Sequence, residues 1–192
     1  MTHLVVDLGG VLFRFDHLRR LDVLAGLFGL PAARVDELLW ASGFNADCDA
    51  GRYGSADLVR ARIRATVGFA GTDEELDDAW CAAYAPNAGV LDALTARCDA
   101  RTLSVFTNNG PLEEAALPRL YPAVFAPFDH LFFTWRLGCR KPDPAAFSAV
   151  ARALGPDSTE ILFVDDSAVN VAAARAVGWR AARFGPDGLE CT

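Results

Sequence analysis

Three short polar clusters stand where apolar runs stop. Asp7 closes Leu4-Val5-Val6, Thr107-Asn108-Asn109 closes Val105-Phe106, and Asp165-Asp166 closes Ile161-Leu162-Phe163-Val164. A fourth candidate, Lys141, lies in Gly138-Cys139-Arg140-Lys141-Pro142-Asp143-Pro144. Brought together, these residues supply three carboxylates, a hydroxyl and an ammonium. Clustered carboxylates repel one another unless a cation joins them. Oxygen donors with one or two carboxylates per ion suit magnesium. A hydroxyl and an ammonium beside that ion suit a phosphate group. The chemistry is phosphoryl transfer, with a carboxylate available as nucleophile.

Each residue also has a plainer use. Asp7 can end a strand at a turn. Thr107 and Asn109 can cap a helix over 111–120, and Lys141 can simply enter the helix that follows it. Asp165 can be a solvated neighbour of Asp166, and Asn170 an exposed helix residue. Asp47, Asp49 and Arg52 invite a substrate-binding role, which loop chemistry explains equally well.

Convergence requires strands whose carboxyl ends share one edge, which is where doubly wound sheets bind ligands. Residues 3–8 are apolar on both faces and end at Gly9-Gly10, as a buried parallel strand does. Residues 102–106 and 161–164 read the same way, with weaker strands at 130–134 and 179–184. Helices over 111–120, 143–154 and 167–177 carry Pro at a first turn, or Asp or Ser as caps. The fold class is α/β, a Rossmann-like doubly wound, mostly parallel sheet.

Asp7 and Thr107 are 100 positions apart, whereas a strand–helix–strand crossover needs about 30. The excess is helical in pattern. Residues 18–28 and 32–40 carry apolar side chains at helical spacing, 55–67 opens on a Ser cap, and 72–85 opens with the Thr72/Glu75 capping-box spacing. The expected organisation is an α/β core of residues 1–13 and 87–192 with a helical cap at 14–86.

The chain has 192 residues, 52% of them hydrophobic and 22% charged, which fits a globular protein and excludes a disordered one. Its 18 basic and 25 acidic residues give a net charge of −7, which disfavours nucleic acid as a partner. No apolar run approaches the roughly 20 residues of a membrane span. Asp7 interrupts the apolar run at the start, so no signal peptide is expected. Five widely spaced cysteines without a C-x-x-C pair point to reduced thiols in the cytoplasm. The oligomeric state is not legible.

The segments L-V-V-D-L-G-G-V-L, S-V-F-T-N-N, G-C-R-K-P-D-P-A-A-F and I-L-F-V-D-D-S-A-V-N-V-A-A-A resemble, in this order, the four motifs of the haloacid dehalogenase-like hydrolase superfamily, in its helical-cap branch. The resemblance covers essentially the whole chain. It implies Asp7 as nucleophile, Thr107 and Asn108 as phosphate binders and Lys141 as charge neutraliser. Asp165 and Asp166 would hold magnesium, Asp166 more firmly, with Asn170 supporting them. The substrate implied is a small phosphorylated metabolite.

One position departs from the pattern. Most phosphatases of the superfamily carry a second Asp two residues after the nucleophile, acting as general acid and then as base. Here that residue is Gly9, which keeps only the backbone carbonyl that the family's Asp offers to the ion. Losing a general acid costs about 10²–10⁴ in rate. Three readings compete: a phosphatase, a metal-independent 2-haloacid dehalogenase, and a weak phospho-ligand-binding protein. The retained Asp165-Asp166 pair favours the first.

Overall fold

The computed structural model describes residues 2–96, 100–155, 160–186 and 188–190. Cys98 and Cys191, two of the five cysteines considered above, lie outside the described residues.

The chain opens with β1 (Thr2–Val6). Leu4, Val5 and Val6 are wholly buried, and burial of each stabilises by about 1.5–3 kcal/mol relative to exposure. That anchors the strand and fixes where Asp7 emerges. The other strands of this sheet are β4 (Ala100–Thr107), β5 (His130–Phe133), β6 (Glu160–Asp165), β7 (Arg180–Gly185) and β8 (Gly188–Leu189), after a separate pair β2 (Phe13–Phe15) and β3 (Tyr84–Pro86). The sheet order is β5-β4-β1-β6-β7-β8. All pairings are parallel except β7 with β8. The chain turns from one side of β1 to the other, and such a switch leaves a crevice at the strands' carboxyl ends. Val6 pairs with both Val105 and Val164, so Asp7, Thr107 and Asp165 surface side by side.

Both faces of the sheet are covered, as its alternation demands. Val5, Phe106 and Phe163 pack on one face with Phe147 and Val150 of α10 (Pro144–Leu154) and Ala174 of α11 (Ala168–Ala176). Leu4, Val6, Val105 and Val164 face the opposite layer, which includes Leu112 and Ala116 of α7 (Pro111–Leu120).

Between β2 and β3, which pair antiparallel, runs a helical excursion. Its helices are α1 (His17–Phe28), α2 (Ala32–Asp36), α3 (Phe44–Asp49), α4 (Ala56–Val67) and α5 (Asp73–Trp80). Asp16 and Ser55 cap α1 and α4, and the Thr72/Glu75 capping box is formed at α5. Two expectations need correction. The helix expected over 32–40 gives way to a π-turn at Glu37–Ala41. The one expected over 72–85 stops at Trp80, a 3-10 turn follows at Cys81–Ala83, and Tyr84–Pro86 is β3. Here sheet pairing overrides an Ala-rich local preference. Among the described residues no helix is long and apolar enough to cross a membrane.

Candidate active site

Asp7 leaves β1 at the crevice and is buried. Lys141 approaches from the segment before α10. Its Nζ donates to Asp7 Oδ1 at 2.9 Å, to Asp165 Oδ2 at 2.7 Å and to the Phe106 carbonyl at 2.7 Å. An ammonium has three protons, and all three are engaged. The cation expected to reconcile the carboxylates is therefore partly supplied by the chain itself. Burial pushes Asp7 up to about 6; Lys141 opposes this and Asp165 reinforces it. Burial pulls Lys141 down, but Asp7 and Asp165 more than offset it, so its pKa lies above the usual lysine value.

Asp165 is wholly buried rather than solvated. Its Oδ1 accepts from the Ser167 amide at 2.8 Å, and Asn170 Nδ2 reaches both carboxylate oxygens at 3.1 Å. Asn170 is thus no idle surface residue. Asp166 is the more open carboxylate of the pair, and its pKa is raised, first by burial and then by Asp165. Ligand oxygens of Asp7, Asp165 and Asp166 lie within 4.8 Å of one another.

The turn after β1 shapes this cluster. The Gly10 amide donates to the Phe13 carbonyl at 2.7 Å, with Gly10 at φ +82°. A Cβ on Gly10 would stand 2.2 Å from Asp166 Oδ2, so only glycine fits there without a shift. Gly9 differs: its φ is not positive, and a Cβ would meet nothing closer than Tyr84 at 3.8 Å. No close backbone approach requires glycine at position 9.

At the end of β4, Asn109 Nδ2 donates to Thr107 Oγ1 at 3.0 Å, and Tyr84 donates its hydroxyl to Asn109 Oδ1 at 2.8 Å. Neither Thr107 nor Asn109 caps α7, which has no side-chain cap. The Asn108 side chain pairs with the Lys141 backbone, donating to its carbonyl at 2.8 Å and accepting from its amide at 2.9 Å. That pairing sets the height at which Lys141 enters. Asp143, not Lys141, serves the helix entry, accepting from the Ala145 amide.

A cavity of about 370 Å³ extends from Asp7, Thr107, Asn108 and Asp166 up to the helical excursion. Sequence reasoning missed most of its upper wall. Arg20 of α1 is buried within 5.1–5.6 Å of the rings of Phe15, Trp40, Trp80 and Tyr84. Its Nη2 lies 3.6 Å from Glu113 Oε1, which accepts from Trp80 Nε1 at 2.8 Å. Only the apolar spacing of α1 hinted at this, since a charged residue falls on its buried face. Asp47 and Arg52 form an ion pair at 3.0 Å, as loop chemistry allows. Asp49 is different: it is buried in the cavity wall.

Comparison with known proteins gives this crevice a family. Residues 1–178 match the model of haloacid dehalogenase-like hydrolases, and the chain belongs to that family. It is 31% identical over 189 residues to Phosphatase MT3486 of Mycobacterium tuberculosis, covering 94% of this chain and 86% of that one. Phosphoglycolate phosphatase 1 of Pseudomonas aeruginosa is 29% identical over 181 residues, 87% of this chain and 62% of its own length. A HAD family enzyme of Bacteroides thetaiotaomicron, crystallised with magnesium and inorganic phosphate, shares the fold with a TM-score of 0.78 at 22% identity, covering 96% of this chain and 94% of that one.

Proposed function

We propose that this hydrolase is a magnesium-dependent phosphatase of a small phosphorylated metabolite, working in the cytoplasm through an aspartyl-phosphate intermediate. The observation that carries this is Asp7 held by Lys141 Nζ at 2.9 Å, beside Asp165 and Asp166 at the cavity floor. The phosphatase names of the relatives support it. The free thiols of Cys48, Cys81 and Cys139 suit a reducing compartment.

The donor set fits a hard divalent ion. Lys141 brings one positive charge to three clustered carboxylates, and burial holds Asp7 and Asp166 above their usual pKa. Asp7, Asp165, Asp166 and the Gly9 carbonyl would hold the ion, Asp166 being the most open of the carboxylates. When bound, the ion supplies positive charge to the phosphoryl oxygens.

Asp7 attacks phosphorus in line with the leaving oxygen. The Thr107 hydroxyl and the Asn108 amide hold equatorial oxygens. Lys141 contributes chiefly as a charge, because its protons are already committed to Asp7, Asp165 and Phe106. Water then hydrolyses the acyl phosphate. Residues 14–86 act as the cap, excluding water and selecting the leaving group; the β2–β3 ribbon at its root supports that boundary.

Arg20 favours a second reading. A 2-haloacid dehalogenase needs a cationic side chain over its substrate's carboxylate, and Arg20 lines the cavity. The two readings separate in one assay. Phosphate release that stops with chelator supports the first; halide release from a 2-haloacid in excess chelator replaces it with the second.

A further inference from the structure

Gly9 leaves the leaving group without its usual acid, so the proton must come from water, the substrate or another group of the cavity. Four titratable side chains of its upper part could give one: His17, Glu113, Tyr84 and Asp49. His17 Nε2 is turned to Asp36 Oδ1 at 3.3 Å. Glu113 is already engaged, accepting from Trp80 Nε1 at 2.8 Å and lying 3.6 Å from Arg20 Nη2. The Tyr84 hydroxyl donates its hydrogen bond to Asn109 Oδ1. Asp49 remains.

Its position is set by the core as well as by α3. Thr134 Oγ1, fully buried, donates to the Asp49 carbonyl at 2.9 Å. A Cβ on Gly51 would strike the Trp135 carbonyl at 2.1 Å, so the end of α3 lies flat on the core. Asp49 Oδ1 lies 3.4 Å from where a Gly110 Cβ would stand, and Oδ2 faces Arg140 Nη2 at 3.6 Å and accepts from Asn45 Nδ2 at 3.0 Å. Gly110 is two residues beyond Asn108, and Arg140 directly precedes Lys141. The Asp49 carboxyl is therefore wedged between the two segments assigned to the phosphate, on the cavity's cap side.

Resting on the phosphatase reading, we propose that Asp49 is the general acid–base residue that stands in for the missing carboxylate at position 9. As the phosphorus–oxygen bond breaks, the leaving oxygen takes the electron pair and the Asp49 proton. Asp49, now a carboxylate, accepts a proton from the water whose oxygen attacks phosphorus. The Asp7 oxygen departs with its electrons, and both residues return to their starting forms. Burial, with Glu113 adding and Arg140 and Arg20 opposing, keeps the Asp49 pKa well above the usual range and favours its protonated form.

The test compares phenyl phosphate with dinitrophenyl phosphate, whose leaving group needs no proton. Leaving-group release is followed in the first turnover, so that later hydrolysis does not mask it. The wild-type protein should cleave both with a shallow dependence on leaving-group pKa. Asp49→Asn should lose about 10²–10⁴-fold on phenyl phosphate and stay close to wild type on dinitrophenyl phosphate. Adding Gly9→Asp, for which the structure has room, should restore much of the loss. A steep dependence in the wild-type protein overturns the proposal without need of any variant. Equal losses on both substrates, or no loss on either, also overturn it. A wild-type protein that cleaves neither ester removes the phosphatase reading itself.

Discussion

Gly10→Ala tests how the turn after β1 supports the carboxylate cluster. Gly10 has φ +82°, and an L side chain in that region costs about 1–2 kcal/mol. The new methyl would also stand 2.2 Å from Asp166 Oδ2 and 3.0 Å from Asp166 Cβ. Asp166 is open to solvent, so it can swing aside, and the stability loss stays near the backbone cost. For a chain of this size, about 1 kcal/mol lowers Tm by roughly 2–4 °C, so the expected drop is about 2–8 °C. The larger effect falls on the ion. A displaced Asp166 should weaken magnesium about 10–100-fold, the range found when support for a metal ligand is removed. Gly9→Ala is the control, since its methyl meets only ordinary contacts at 3.8–3.9 Å. Thermal melts and magnesium titration of phosphatase activity read both effects. A Gly10→Ala protein with the Tm and magnesium half-saturation of Gly9→Ala would refute the reasoning.

Asn108→Ala should lower activity although its amide remains, because the side chain sets the Lys141 backbone through two hydrogen bonds; unchanged kcat/KM would place Lys141 by other contacts. Arg60→Ala should cost about 1–3 kcal/mol in urea unfolding, since buried Asp77 loses donors at 2.9 and 2.6 Å; a change within error would remove this pair from the forces holding α4 to α5. The raised pKa of Asp49 means the folded chain holds that proton to higher pH than the unfolded chain. Its contribution to stability is then full below the unfolded value and declines as pH rises through the folded one. The stability of wild type minus that of Asp49→Asn should therefore fall as pH rises above about 4, and a flat difference would contradict the burial argument. Excess chelator should stop phosphate release and added magnesium restore it.

The strands of the large sheet that mattered most were legible because they are buried on both faces: nothing but an apolar run fits between two helical layers, and each run stops at its functional residue. The helical excursion was legible through caps such as Ser55 and Thr72. The β3 strand was not, because Tyr84-Ala85-Pro86 pairs with Phe13–Phe15, a partner about 70 residues away that no local pattern reveals. Asp7, Asp165 and Asp166 could be read from strand ends, and Lys141 from the G-C-R-K-P-D-P segment. Arg20, Glu113 and Asp49 could not, since their burial depends on how α1, α7 and α3 meet. Asp49 is buried where α3 meets the core, whereas Asp47, on the same helix, pairs with Arg52.

In the proposed reaction Asp7 carries the phosphoryl group. Rapid quench of the enzyme during turnover of a phosphate ester with magnesium, followed by peptide mass spectrometry, addresses it directly. Phosphate is expected on Asp7, removable by hydroxylamine as an acyl phosphate must be, and none in Asp7→Asn. Turnover retained by Asp7→Asn, or phosphate found on another residue, would contradict it.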